Sequence, residues 1–153
     1  MTSVAQLLGG ELPIDAEVNI QGWVRSKRDS KAGISFIAVH DGSCFNAIQA
    51  VVPNTLANYD SEVLEITTGC AVSISGKLLE SEGRGQSVEI QALDVVVVGW
   101  VDNPETYPVA KKRHTFEYLR TQAHLRPRTN TFGAITRVRT TLANAIHNYF
   151  YDN

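Results

Sequence analysis

The stretch from Gln21 to Val51 constrains the fold of this chain more than any other part of it. It contains three apolar segments, and turn-forming residues separate them. Gly33 permits the first turn. The second turn, at residues 40–43, contains Asp-Gly, in which glycine takes a positive φ at low cost. The stretch therefore predicts three short strands: one that ends at Val24, one over 34–39 and one over 45–52.

Polar and aromatic side chains in the same stretch indicate a ligand. Four cations lie within seven residues: Arg25, Lys27, Arg28 and Lys31. Phe36 lies in the middle of the second strand, and Gln49 lies on the third. Phosphates require positive charge, unstacked bases require a π-face, and base edges require a forked donor and acceptor. The combination predicts a surface that binds single-stranded nucleic acid.

Each of these residues also has an ordinary structural explanation. A phenylalanine on a strand is more often a core residue, a lone glutamine is usually solvated, and cations near a turn usually lie in a solvated loop. Phe36 shares a face with Ile34 and Ala38, and periodicity does not say which face is buried. Only the three features together favour a binding surface.

The charge distribution refines this prediction. Residues 1–100 contain six Lys/Arg and twelve Asp/Glu, a balance of −6, and residues 101–153 contain eight and four, a balance of +4; the net charge is −2. An acidic region with one concentrated basic segment predicts recognition of a few phosphates. It does not predict a protein that coats long nucleic acids.

Composition excludes several other classes. A hydrophobic fraction of 43% suffices for the core of one domain with an appendage. The chain has no apolar run of about 18 residues, so we expect no membrane span, and its N-terminus does not resemble a signal peptide. Two cysteines are too few for a disulfide framework or a zinc site, and the four histidines lack ligand spacing. We expect a cytoplasmic protein without a metal, in which Asp41 is a turn residue.

Alternating polar and apolar residues place the start of the first strand at residue 17 and predict two further strands over 70–76 and 87–98. Short helices are predicted at 4–8 and 58–67, and Gly22 and Gly76 are predicted bends. Five strands with a helix between the third and the fourth follow the order of the OB-fold, whose strand 2–3 face binds oligonucleotides. The fold class is therefore all-β with appended helices.

The C-terminal third has a different pattern. Residues 102–108 contain two prolines and predict a linker; a short helix over 115–123 follows, broken at Arg126–Arg128. Thr131 is the predicted N-cap of a last helix, whose apolar stripe consists of Phe132, Ile135, Val138, Leu142, Ile146, Tyr149 and Phe150. We expect the partner of this stripe in sequence not present here or on a second chain. The predicted domains are 1–101, a hinge over 102–130, and 131–153.

Several motifs together resemble one family. They are Gly22–Asp29, Phe36, Asp41–Phe45, Gln49, Thr67–Cys70 and Ala123–Asn130. In these the chain resembles, over nearly its whole length, the N-terminal anticodon-binding domain of class II aminoacyl-tRNA synthetases of the aspartate/asparagine/lysine group, and in detail the asparaginyl enzymes of bacterial type.

The resemblance implies roles for particular residues. An anticodon base would stack on Phe36, and Arg28 and Gln49 would read the middle uridine. Glu89 occupies the place of a family glutamate that faces the anticodon, where a carboxylate can accept a base N–H. The candidates for phosphate contacts are Arg25, Lys27 and Lys31.

The resemblance also implies what the chain lacks. Residues 131–152 are similar to the helix of the first class II motif, which builds the homodimer interface. The rest of that motif and the second and third motifs, with the ATP-binding arginines, are absent. We therefore expect no catalytic residue in this chain and no activity from it alone; ATP and Mg would act in the full-length asparagine–tRNA ligase.

Two alternatives remain open. A free-standing OB-fold protein could bind single-stranded nucleic acid without selectivity, and it would carry several aromatic residues on its face. An interaction protein could dimerise through the last helix. The apolar stripe of that helix would then be covered without any sequence beyond this chain.

Overall fold

The structure, a computed structural model, describes residues 1–81, 83, 85–109 and 112–153. Residues 82 and 84, and residues 110 and 111 of the predicted hinge, lie outside the described residues. The chain divides into two compact units, Met1–Ala110 and Lys111–Asn153, which are described separately below. The division into domains made from the sequence stays a prediction.

Five strands close into a barrel in the first unit. They are β1 (Glu17–Ser30), β2 (Ile34–His40), β3 (Ile48–Pro53), β4 (Ala71–Glu80) and β5 (Val88–Gly99). Their order around the barrel is β1-β2-β3-β5-β4, and β4 pairs with β1 to close it. β3 and β5 run parallel, whereas the other neighbours are antiparallel. The predicted five-stranded OB-fold is confirmed.

The burial of β2 decides which of its faces points into the barrel. Ser35, Ile37 and Val39 are fully buried, whereas Phe36 and the other alternate residues of the strand are partly exposed. Phe36 therefore lies on the outer face of the sheet, where a ligand can reach it. Its sequence neighbour Ile37 belongs to the core.

β1 is longer than predicted, and a bulge changes its faces. It continues to Ser30 through the segment that was expected to form a turn. Val24 pairs with Val39 and Ser26 pairs with Ala38, so Arg25 is an extra residue in the ladder. One extra residue shifts the alternation of all residues that follow it. Lys27 then shares the inner face with Ile37, and Arg28 shares the outer face with Phe36.

The two predicted glycine bends have different outcomes. The pairing of β4 with β5 shifts between Ser75 and Gly76, so a bulge lies there as predicted. Gly22 lies in regular pairing instead. A Cβ atom at Gly22 would come within 2.7 Å of the carbonyl oxygen of His40, so this glycine permits the close approach of two strands.

Helix α1 (Val4–Leu8) forms as predicted and closes part of the core, in which Val4 and Leu7 are buried. The loop between β2 and β3 caps it. The backbone N of Val4 donates to Oδ2 of Asp41 at 2.8 Å, and that of Ala5 donates to Oγ of Ser43 at 2.9 Å. β3 begins at Ile48 and not at residue 45, so the loop that carries these two residues spans 41–47.

The hydrogen bonds of Asp41 make one part of the stability acid-sensitive. Burial alone raises the pKa of this carboxyl, but the hydroxyl of Ser43 and the backbone N–H groups of Val4 and Ser43 outweigh it and lower the pKa below its ordinary 3.8. The stabilisation is therefore present above about pH 4 and is lost as the pH falls through the lower folded value.

We expect Asp41→Asn to reduce stability at pH 7 by about 1 kcal/mol, the usual size of a lost helix cap. The difference from the unsubstituted chain should shrink as the pH falls from 5 to 2, since the aspartate then becomes protonated. Urea unfolding measured across that range checks this. A difference that stays constant with pH would contradict the role given to Asp41.

The helix predicted over 58–67 is shorter in the structure. It is a π-helical turn, Tyr59–Val63, in which the backbone N of Val63 donates to the carbonyl oxygen of Asn58 at 3.1 Å. Tyr59, Val63 and Ile66 are buried in the core. Of the apolar residues expected to pack on the barrel, Val63 and Ile66 do so, whereas Leu64 is 41% exposed.

The second unit contains helices α2 (Phe116–Thr121) and α3 (Asn130–Asp152). The predicted N-cap at Thr131 is wrong. Thr129 caps α3, since its Oγ1 accepts from the backbone N of Phe132. Much of the apolar stripe is exposed: Ile135, Val138, Leu142, Ile146, Tyr149 and Phe150. Among the described residues, no helix combines the length and the apolar character needed to cross a membrane.

Candidate nucleic-acid interface

Four predicted recognition residues lie on four neighbouring strands of the barrel. Arg28 on β1 is paired directly with Phe36 on β2. Phe36 is paired with Val51 on β3, two residues from Gln49, so these two side chains are diagonal neighbours on one face. The parallel pairing of Ala50 with Ile90 brings Gln49 beside Glu89. We name the outer surface of these four residues the recognition face.

Arg28 and Phe36 contact each other. The guanidinium carbon of Arg28 lies 4.7 Å from the centroid of the Phe36 ring, a cation–π distance. Arg28 is exposed and the ring is partly exposed. The guanidinium of Arg28 therefore covers one side of the Phe36 ring.

Gln49 and Glu89 are joined by a hydrogen bond. Nε2 of Gln49 donates to Oε2 of Glu89 at 3.1 Å. The same carboxylate oxygen accepts from Oγ of Ser81 at 2.8 Å and from Nε2 of Gln86 at 3.0 Å. Ser81 and Gln86 flank the connection between β4 and β5. The recognition face therefore ends in a hydrogen-bonded cluster of two amides, a hydroxyl and a carboxylate.

The structure does not bring Lys27 to the recognition face. Its side chain is only 8% exposed and lies 3.1 Å from Oδ2 of Asp29. Its Nζ donates to the carbonyl oxygen of Leu64 at 2.6 Å. Asp29 in turn accepts from Ser35 at 2.6 Å, and Ser35 lies 2.9 Å from the hydroxyl of Tyr59. This largely buried polar cluster, in which Asp29 remains 47% exposed, joins β1 and β2 to the π-helical turn.

Arg25 and Lys31 have different surroundings. Nη1 of Arg25 donates to the carbonyl oxygen of Val109 at 3.2 Å, so this residue joins β1 to the segment that follows β5. Burial lowers the pKa of the Arg25 guanidinium, and Tyr107 opposes the shift. Lys31 is exposed in the turn between β1 and β2. Of the three phosphate candidates, Lys31 is the exposed one, and a phosphate group can therefore reach it from solvent.

Sequence reasoning missed Asp29, Ser35, Tyr59, Ser81 and Gln86. They are common polar residues to which the sequence assigned no role, and their contacts depend on the bulge at Arg25 and on pairings distant in sequence. Among the described residues, no three His, Cys, Asp or Glu side chains form a group that could hold a metal ion.

Comparisons with known proteins agree with this geometry. The family model tRNA_anti-codon, described as an OB-fold nucleic acid binding domain, matches residues 18–98. The chain is 65% identical over 150 residues to an asparagine–tRNA ligase of Hahella chejuensis and 62% identical over 150 residues to one of Pectobacterium atrosepticum. Each match covers 98% of this chain and 32% of the relative, so the chain spans about a third of the length of these curated relatives.

A solved structure shows the same fold. The asparaginyl-tRNA synthetase of Entamoeba histolytica in complex with asparaginyl-adenylate matches with a TM-score of 0.76 at 18% identity. The match covers 94% of this chain and 34% of that one.

Proposed function

Because the chain belongs to the family of OB-fold nucleic-acid-binding domains, we propose that its barrel binds the anticodon loop of a tRNA that accepts asparagine. The observation that carries this proposal is the recognition face. Its cation, aromatic ring, carboxamide and carboxylate come from four neighbouring strands and lie side by side. An unpaired triplet of bases needs these groups within reach of one another.

Each residue has a role in this proposal. An anticodon base stacks on Phe36, a contact worth roughly 1–3 kcal/mol and nearly independent of sequence. Arg28 and Gln49 supply the selectivity by hydrogen bonding to the edge of the middle uridine. Glu89 completes the face beside Gln49, and Lys31 contacts a phosphate.

The proposal extends to a larger protein. The barrel serves an asparagine–tRNA ligase, which joins asparagine to its tRNA with ATP and Mg in the cytoplasm. The high identity to asparagine–tRNA ligases supports this assignment. Helix α3 contributes to a homodimer interface, a role that its exposed apolar stripe supports.

A titration against two RNA stem-loops tests the proposal. One has the asparagine anticodon, the other differs only in its middle base, and both are measured at two salt concentrations. We expect tighter binding of the first at both salts. Equal affinity for the two would instead favour an OB-fold protein that binds single strands without selectivity.

The lysines offer a matched pair of variants. We expect Lys31→Ala to reduce the slope of log affinity against log salt by about one unit, the effect of one lost phosphate contact. Lys27→Ala should leave the slope unchanged and lower the melting temperature, because Lys27 lies in the buried polar cluster. The salt dependence of both variants, with thermal melts, checks this; the reverse pattern would exchange the two roles.

A further inference from the structure

We infer that Glu89 is a positioning residue: it holds the carboxamide of Gln49 in one orientation and thereby makes the recognition face prefer uracil over cytosine. The inference rests on the proposed function, since it concerns how the middle base is read. It gives Glu89 a role that acts through Gln49 and not by contact with a base.

The cluster fixes where the carboxylate lies. Glu89 is on β5, beside Gln49 on β3, through the parallel pairing of Ala50 with Ile90. Oε2 of Glu89 accepts from Ser81 at 2.8 Å and from Gln86 at 3.0 Å. Nε2 of Gln86 also donates to Oγ of Ser81 at 2.8 Å, so both of its N–H groups are used within the cluster. These bonds hold the carboxylate against the Gln49 amide.

A carboxylate then decides which end of that amide faces it. Because the ionised group only accepts hydrogen bonds, Gln49 must turn Nε2 toward Glu89, and the observed distance is 3.1 Å. The flipped amide would place its oxygen against a carboxylate oxygen, so two acceptors would meet. Gln49 is therefore left with one N–H and its Oε1 for a ligand, and Oε1 has no hydrogen-bond partner among the described residues.

The free N–H and Oε1 of Gln49 together match the edge of one pyrimidine. Uracil presents N3–H as a donor beside carbonyl oxygens, so Oε1 of Gln49 can accept from N3–H while the remaining N–H donates to an oxygen. Cytosine presents an acceptor at N3 beside a donating amino group. To pair with cytosine in the same position, the amide of Gln49 would have to flip, and Glu89 opposes that flip.

The substitution Glu89→Gln tests this directly. Glutamine has nearly the same size but both donates and accepts, so Gln49 can bond to it in either orientation. We expect the ratio of affinities for stem-loops with U and C at the middle position to fall by about tenfold, the size of one good base-edge contact. Affinity for the U stem-loop should change much less. We expect Gln49→Ala to lower both the U-to-C affinity ratio and the affinity for the U stem-loop.

Glu17→Gln is the matched control. Glu17 is exposed at the start of β1, away from the recognition face, and its loss removes the same charge. We expect its U-to-C ratio to equal that of the unsubstituted chain. Thermal melts of all variants confirm that each is folded.

The outcomes separate the inference from the proposed function. If the unsubstituted chain does not distinguish U from C, the proposed function is wrong. If it does and Glu89→Gln keeps the full ratio, the positioning role is overturned. The role is also overturned if Glu89→Gln changes discrimination only at a neighbouring anticodon position, because Glu89 then contacts a base itself.

Discussion

Phe36→Ala is expected to weaken binding of the asparagine anticodon stem-loop roughly 5- to 150-fold, the equivalent of one base stacked on an aromatic ring. The ring lies on the outer face of β2 and contacts Arg28. Its removal takes away the π-face and also leaves the guanidinium without its support. The melting temperature should change little, because the core residues of β2 are the alternate ones.

Phe45→Ala is the control for this substitution. Phe45 is 48% exposed and lies in the loop between β2 and β3, so the same atoms are removed at a residue that is not one of the four of the recognition face. Fluorescence anisotropy with labelled RNA measures both variants. Equal losses for the two, or an unfolded Phe36→Ala, would contradict the assignment of Phe36 to the recognition face.

Ile37→Ala, one position further along the chain, is expected to reduce stability and to leave the base preference unchanged. Ile37 is fully buried, and such a truncation costs about 2–5 kcal/mol because it removes apolar contacts and leaves a cavity. That is a large fraction of the roughly 5–15 kcal/mol that stabilises a typical domain. Under conditions where the variant remains folded, its preference for the middle base should be retained.

Urea unfolding with Ile14→Ala as the control checks this prediction. Ile14 is 41% exposed, so the same truncation there should cost far less. A stability loss below about 1 kcal/mol for Ile37→Ala would show that β2 faces the opposite way. The two neighbouring positions thus test the orientation of the strand from both sides.

The order of elements in the barrel was predictable from local patterns. Strict alternation marks Val18 and Ile20 on β1, and the Asp-Gly turn marks the end of β2. These signals do not require knowledge of distant contacts. The ends of strands were less predictable, because Ser26–Ser30 pair with β2 only once the sheet exists.

The faces of the candidate site were not predictable from alternation. Counted from Val24, which is buried, simple alternation would place Arg28 inside the barrel and Lys27 outside. The extra residue at Arg25 reverses this. No glycine marks the bulge, so only the resemblance to a known family placed Arg28 with Phe36.

The cluster around Glu89 could not be predicted for another reason. Gln49 and Glu89 are 40 positions apart, and they meet through a parallel pairing of β3 with β5. Such a pairing depends on how the whole barrel closes. The sequence therefore indicated Gln49 and Glu89 as separate candidates, and their hydrogen bond became visible only in the structure.

The extra residue at Arg25 decides how related sequences can be aligned at β1. Four steps along β1 lead from Val24 to Arg28, whereas three steps along β2 lead from Val39 to Phe36. Deleting Arg25 would make the two counts equal, so the bulge would vanish while the guanidinium stayed on the outer side and the lysine on the inner side. A one-residue gap at this place is therefore compatible with the binding surface, whereas the loss of a second residue would exchange interior and exterior.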